Sequence, residues 1–453
     1  MALANVFRPH PWQSLQSKRG AVVKHTENAG HQLERRQFIV STLSAGFAMT
    51  VGPLYAQAVR DGVQISVKNG DQTAPGPRSP GGHTSIKLFL CGDVMTGRGI
   101  DQVLPHPGNP ILFEGYMKSA TGYVELAEEA NGPIPHPVPF SYIWGDALAE
   151  LERRKPDVRV INLETVLTRS DEVQDKAVNY RMNPDNIPCI TAAKIDCCVL
   201  ANNHVLDWGY EGLAETLKTL KRADIKIAGA GLNVQEARQP AEMTVPGKGR
   251  VLVFSLGSET SGIPWNWAAR TDRAGVNLLP DFSAKTVREI RDRIKQVRLP
   301  GDIVVASIHW GNNWGYAIPV EQQDFAHGLI DEAGVDVIHG HSSHHVKGIE
   351  VYRGKLILYG CGDFLNDYEG ISGHETYRGD LTLMYFVSAE PQTGKLVSLS
   401  MVPMQVRHFK LNRASDVDAS WLKNILNREG KKLGTSVELT ADNTLMLRWM
   451  LQG

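Results

Sequence analysis

Five short segments of this chain carry oxygen and imidazole donors of the kind that hold a divalent cation. They are Gly92-Asp93, Asn162-Leu163-Glu164, Asn202-Asn203-His204 with Asp207 behind it, His309-Trp310-Gly311, and the histidine-rich run His339-Gly340-His341-Ser342-Ser343-His344-His345. Each has an ordinary explanation when taken alone. An aspartate after a strand caps a helix or closes a turn, paired asparagines make a turn, and a histidine beside a tryptophan packs into a core. Five such tips in succession fit one metal centre better than five unrelated caps. No thiolate stands among the donors, so the set suits one or two ions of Mn, Fe, Zn, Mg or Ca rather than Cu(I) or a cluster.

The elements that must position these donors are strands. Ile86–Cys91, Val158–Leu163, Cys197–Ala201, Ile225–Gly229, Val251–Leu256, Ile303–Ile308 and Val335–His339 read as short β-branched runs. Phe140–Arg154, Tyr210–Lys221, Ala284–Val297 and Val320–Ala333 between them carry helical apolar spacing. This alternation predicts an α/β sheet covered by helices. Donors that follow strands can meet at the carboxyl ends of such a sheet. After His341 the pattern turns to hairpins at Val346–Tyr352, Lys355–Tyr359, Leu381–Val387 and Leu396–Val402. A helix around Trp421–Arg428 and a strand near Thr444–Trp449 then suggest a small α+β extension over residues 391–453.

Ahead of this domain, Arg35-Arg36 precede an apolar stretch from Phe38 to about Met49, and Ala56-Gln57-Ala58 offers a small-x-small cleavage site. The stretch is too short to span a bilayer of roughly 30 Å. An ordinary amphipathic helix is the alternative. Paired arginines before a modestly apolar segment are the twin-arginine export signature, so residues 1–58 are expected to be a signal region and the protein periplasmic or extracellular. Residues 59–84, rich in Gly, Pro, Ser and Asp, read as a linker. Basic and acidic side chains number 48 and 49, so bulk charge gives no support to nucleic-acid binding. Five cysteines form no C-x-x-C pair, and most lie in apolar runs as small buried hydrophobes.

At its motifs the chain resembles the poly-γ-glutamate capsule biosynthesis (CapA-like) proteins of the calcineurin-like metallophosphoesterase superfamily. The matching stretches are Gly92-Asp93-Val94-Met95, Asn162-Leu163-Glu164-Thr165, the run from Leu200 through Asn202-Asn203-His204 and Asp207-Trp208 to Gly209, His309-Trp310-Gly311 and Gly340-His341-x-x-His344. Gly229-Ala230-Gly231 and Gly362-Asp363-Phe364 fall where the family has similar segments, and the likeness spans residues 85–390. It implies a four-layer αββα sandwich with a metal centre at the sheet ends. By position, Asp93, Glu164, Asn203, His309, His341 and His344 would be ligands. His204 would be the general acid on the leaving group and Asp207 the residue that orients its ring. A neutral imidazole titrates close to working pH and a carboxylate partner fixes its tautomer, which agrees with that role.

The pattern also departs from the superfamily. Val94-Met95 follow Asp93 where Asp-x-His is usual, Glu164 replaces a bridging aspartate, and Asp363 stands where Gly-Asn-Phe is common. Family membership implies metal-dependent hydrolysis or transfer at a phosphoester or amide, with a polyglutamate or other capsular polymer, and a membrane-bound synthase, as partners. Arg98 and Arg181 are candidate anion contacts. Trp310, with Trp265, Trp267 and Trp314, offers either a stacking surface for polymer or core packing. The rival reading is a non-catalytic accessory protein that binds polymer or a synthase. The pairing of His204 with Asp207 favours the enzyme, and the missing first-motif histidine favours the accessory protein.

Overall fold

The computed structural model describes Ser85–Met450, a mixed α/β structure. The export signal and linker expected at residues 1–58 and 59–84 lie outside the described residues. In the larger, 10-stranded sheet, Ile86–Val94, Val158–Leu163, Cys197–Val199 and Lys226–Ala228 run parallel and side by side. In the 6-stranded sheet, Gly249–Gly257, Ile303–His309, Val337–His341 and Lys355–Leu358 are parallel, and Ala241–Val245 and Ile349–Tyr352 close its two edges antiparallel.

Strands buried on both faces need apolar side chains at successive positions, and the sequence supplies them. Alternate residues then divide between two cores. Leu88, Leu90, Val160 and Val199 of the large sheet share one cluster with Val251, Val253, Val305 and Val337 of the other. The alternating residues Phe89, Cys91, Ile161 and Cys198 pack instead with Leu213, Leu217 and Leu220 of helix Gly209–Arg222. On the second sheet, Leu252, Phe254, Val304 and Ala306 pack against helices Ala284–Val297 and Val320–Asp331. Helix Ala284–Val297 starts where the Ser283 side chain accepts a hydrogen bond from the Thr286 amide. It buries Val287, Ile290 and Ile294 along one stripe.

One strand lies later than expected. The strand expected at Val335–His339 lies at Val337–His341. Just before it, the Asp336 carboxylate accepts from the Val304 amide and from Arg298. The strand's carboxyl end thus reaches His341, which pairs with His309. The described part of residues 391–453, expected as a C-terminal extension, lengthens the larger sheet. Leu396–Arg407 pairs along Leu381–Ala389, Leu445–Trp449 and Thr435–Leu439 extend the same sheet, and Leu422 and Leu426 of helix Asp416–Gly430 join the cluster shared by the two sheets. Leu399, Met401, Leu445 and Leu447 face that cluster too, so burying them requires the sheet to continue. All five cysteines are free and buried. Among the described residues, no helix is long and apolar enough to cross a membrane.

Candidate metal centre

Asp93 is the last residue but one of strand Ile86–Val94, just past a register break that follows Leu90. The break depends on Gly92, because a Cβ there would stand 1.6 Å from the Gly362 carbonyl oxygen. The Asp93 amide donates to that same oxygen. This close approach sets Asp93 in parallel register with Asp363 on one side and with Asn162 on the other. The Asn162 carboxamide donates to Asp93 Oδ1 at 2.7 Å and to Glu164 Oε2 at 3.2 Å, and accepts from Asn202 at 3.0 Å. From the opposite sheet the Ser342 amide donates to Asp93 Oδ2 at 3.1 Å, with Ser342 held at φ 96°. Such a conformation costs of order 1–3 kcal/mol in a residue with a side chain, and persists only where the surroundings impose it.

His309 and His341 face each other across adjacent parallel strands. Their Nδ1 atoms are 2.8 Å apart, and His341 Nδ1 is 3.7 Å from Asp93 Oδ1. The tautomers follow from a chain of contacts. His339 Nε2 lies 2.6 Å from the Cys91 carbonyl oxygen, which can only accept, so His339 carries its proton there. Its Nδ1 then accepts from Ser307 Oγ at 3.0 Å, and the Ser307 oxygen accepts in turn from His341 Nε2 at 2.9 Å. His341 Nδ1 is left with a bare lone pair. His309 Nε2 sits 3.0 Å from the Asn203 carboxamide oxygen, so donation there leaves the His309 Nδ1 lone pair aimed at that of His341. Two acceptors at that distance repel each other unless a proton or a cation lies between them. Asp93, His309 and His341 bring one donor atom apiece to within 4.8 Å of one another, all buried.

Charge leads to the same conclusion. Burial raises the pKa of Asp93, and the neighbouring Asp363 raises it further. Glu164 is raised well above the usual range by burial and by Asp93 and Asp363. His309 and His341 are held neutral by burial. Neutral imidazoles and crowded buried carboxylates make a site that a divalent cation fits: it would relieve the repulsion and take up the lone pairs.

His204 and Asp207 stand beside this cluster on the loop before helix Gly209–Arg222. His204 Nδ1 lies 2.6 Å from Asp207 Oδ2, which also accepts from the Tyr180 amide at 2.7 Å. The Nδ1 proton therefore points at Asp207, and Nε2 is left 3.8 Å from Glu164 Oε1. Burial pulls the ring down to about 4 against the opposing effect of Asp207, so the resting imidazole is neutral. Lys176 donates to Asp207 Oδ1 at 2.5 Å and to the Asn203 carbonyl. A cleft of about 210 Å³ opens here, lined by Glu164, Lys176, Asn203, His204, His309 and His344 among others.

Residues 87–368 match the profile described as bacterial capsule synthesis protein PGA_cap. The chain belongs to this family. It is 50% identical over 362 residues, 80% of its own length and 95% of the relative's, to a "Probable polyglutamine synthesis accessory protein" of Mycobacterium tuberculosis. It is 25% identical over 282 residues to the "Capsule biosynthesis protein CapA" of Bacillus anthracis, covering 62% of this chain and 60% of that one. To the "PGA biosynthesis protein CapA" of Bacillus subtilis it is 26% identical over 285 residues, 62% and 63% of the two chains.

Within this PGA_cap chain, Asp93, Glu164, Asn203, His309 and His341 are brought together at the facing ends of the two sheets. His344 lines the same cleft, but its Nδ1 is 2.8 Å from Asp363 Oδ1 and its Nε2 is 2.9 Å from Asn313. Burial works against charge on His344, and Asp363 overcomes it, so its pKa is raised. The three residues expected to contact substrate are committed to the interior. Arg98 is 3% exposed and clamps Asp367 and Glu114. The Arg181 guanidinium lies 3.7 Å over the Trp208 ring and bonds Asp171 and two carbonyls. Trp310 is 2% exposed and donates to the Tyr359 carbonyl at 3.0 Å, so it is core packing.

Asp363, Lys176 and Ser307 are site residues that sequence reasoning did not assign. Asp363 had a signal in Gly362-Asp363-Phe364, where a carboxylate replaces a carboxamide. A single lysine in a long loop and a serine inside an apolar strand gave none.

Proposed function

We propose that this protein is a metal-dependent hydrolase-like enzyme, exported by the twin-arginine route, that acts in the biosynthesis or processing of a capsular polyglutamate or related polymer. The observation that carries this reading is His204, bonded to Asp207, lining the same cleft as His309 of the buried Asp93–His309–His341 group. Membership of a capsule-synthesis family and the names of the Bacillus relatives support the polymer setting. The three apolar clusters, one between the sheets and one under the helices on either side, support a four-layer sandwich of the metallophosphoesterase type. Capsular polymer and a membrane-bound synthase are the partners this reading implies.

A divalent ion held by Asp93, His309 and His341, with Glu164 and Asn203 beside them, would supply Lewis-acid polarisation and lower the pKa of water. The protein's own groups do the rest. Asp207 keeps the His204 proton on Nδ1, so Nε2 can take up a proton and pass it to a leaving group. Lys176 anchors the Asp207 carboxylate. Asn162 and Asn202 hold Asp93, Glu164 and the His204 amide in a continuous carboxamide relay.

The second reading is an accessory protein without turnover. It is favoured by the absence of a histidine at Val94-Met95 and by the word "accessory" in the name of the Mycobacterium relative. Purified mature protein, analysed for bound metal and then assayed on γ-glutamyl and phosphodiester substrates, separates the two. Metal-dependent turnover abolished in His204→Ala upholds the enzyme; tight metal and polymer binding without turnover upholds the accessory protein. Replacing Arg35 and Arg36 by lysine should leave precursor in the cytoplasm, and unchanged export would remove the twin-arginine part.

A further inference from the structure

Lys347 is 5% exposed; its ammonium makes one hydrogen bond among the described residues, at 3.5 Å to the Ala317 carbonyl oxygen, and lies close enough to His345 to oppose charge on that ring. Its stem runs past Gly360, where a Cβ would meet Lys347 Cδ and Cγ at 3.1 Å, so the absent side chain there leaves the channel open. The side chain lines a pocket of about 610 Å³ beside the metal cleft. The segment Gly311–Gly315 separates the two, with Asn313 turned to His344 on one side and Trp314 lining the pocket on the other.

The other charges of the pocket are acidic and exposed: Glu259, Asp281 and Glu321. Asp281 is occupied, accepting from the Ser283 amide and the Thr286 hydroxyl at the start of helix Ala284–Val297. Glu259 and Glu321 have no side-chain partner among the described residues. The pocket's lining also includes the apolar side chains Phe282, Trp265 and Leu279.

We propose that this pocket is a binding site for a short peptide of apolar residues, its carboxylate on Lys347 and its ammonium toward Glu259 and Glu321. A buried ammonium lacking an anion is costly, and a carboxylate placed against it makes a charge-assisted bond in a dry setting. A purely anionic ligand matches the floor but is repelled at the mouth, whereas a dipolar ligand matches both. The volume exceeds what one amino acid fills and lies within the ordinary range of small-ligand sites, roughly 300–1,000 Å³. Burial alone draws the Lys347 ammonium down to about 8, which a bound carboxylate would reverse.

Calorimetric titration of the full mature protein with the dipeptide Leu-Phe, its C-terminal amide and its N-acetyl derivative tests this. Leu-Phe should bind, and the amide should bind at least about tenfold more weakly, the expected loss for a charged hydrogen bond. Lys347→Met should weaken Leu-Phe by a similar factor and leave the amide unchanged, with the melting temperature confirming that the variant is folded. Glu259→Gln with Glu321→Gln should shrink the penalty for N-acetylation. No binding of Leu-Phe, or equal affinity of wild type for acid and amide, overturns the proposal even if Lys347→Met does not fold.

Discussion

Two buried polar clusters lie near one another in this protein and solve opposite problems. Around Arg98 the charges are matched inside the chain. The guanidinium holds Asp367 through two nitrogens and Glu114 through a third, and lies over the rings of Tyr123 and Tyr180 at 3.9 and 4.5 Å. At the sheet ends, Asp93, Glu164 and Asp363 crowd together with neutral imidazoles, and Lys176 bonds Asp207 instead. One cluster is a closed structural clamp. The other has crowded carboxylates and imidazole lone pairs that a proton or a bound cation would relieve. Burial of charged side chains therefore does not mark a site by itself; an imbalance left among them does.

The sharpest way to break this contrast is at the open cluster. His204→Ala should retain metal close to the wild-type stoichiometry and lose about 10²–10⁴-fold in turnover, the usual contribution of a positioned proton-transfer group. His341→Ala should lose the metal itself, because it removes a lone pair from the Asp93–His309–His341 group. Elemental analysis beside kinetics reads both, and equal metal loss in the two variants would make His204 a plain ligand. At the closed cluster, Arg98→Met should cost about 3–5 kcal/mol in denaturant unfolding, since it strands the buried Asp367 and Glu114. It should leave bound metal per folded molecule unchanged. A variant that lost metal while remaining fully folded would show that the clamp belongs to the site.

The sequence made the open cluster legible and hid the closed one. Donors at strand ends announce themselves because parallel strands put successive tips at one edge, and Asp93, Asn203, His309 and His341 all follow apolar runs. Arg98 and Arg181 looked like anion contacts because a lone arginine has no pattern that reveals its partners. Asp367 is 269 positions from Arg98 in sequence. Trp310 was ambiguous for the same reason: whether an aromatic residue stacks on a ligand or on Tyr359 depends on which face of the sheet a helix covers. The hairpin of Leu381–Ala389 and Leu396–Arg407 was legible from its turn, whereas the pairing of Leu445–Trp449 onto Leu396–Arg407, across an intervening helix, has no local signal.

A smaller effect separates the clusters by pH. Asp93 and Glu164 have folded-state pKa values above their ordinary ones, so metal-free protein binds more protons folded than unfolded. Their contribution to stability is full below the unfolded carboxylate pKa of about 4 and is lost as pH rises through the elevated folded values. Up to about pH 6.5 the buried neutral histidines oppose this, because their unfolded forms take up protons; above it, chelated protein should lose melting temperature as pH rises, and saturating divalent cation should flatten that slope. An identical slope with and without the cation would mean that these carboxylates do not meet it.

The least change comes from Asp363→Asn, and its sign is informative. Asp363 lies in register with Asp93 and orients His344 through a 2.8 Å contact, so it both adds to the crowding and supports a neighbouring ring. In chelated protein these effects oppose each other: the variant relieves repulsion on Asp93 and Glu164 but leaves His344 without its ion-pair partner. Stability should then move by less than about 1 kcal/mol, of the order of a net hydrogen bond. In the presence of the cation the relief no longer counts, because the ion already neutralises the carboxylates, and only the lost support remains. Affinity for the divalent ion should fall by about tenfold, the low end of what outer-sphere partners contribute, or about 1.4 kcal/mol. Isothermal titration of the chelated protein with Mn or Zn reads that number directly. Unchanged affinity would make Asp363 part of a closed clamp like that of Arg98, and a loss of more than about a hundredfold would make it a ligand in its own right.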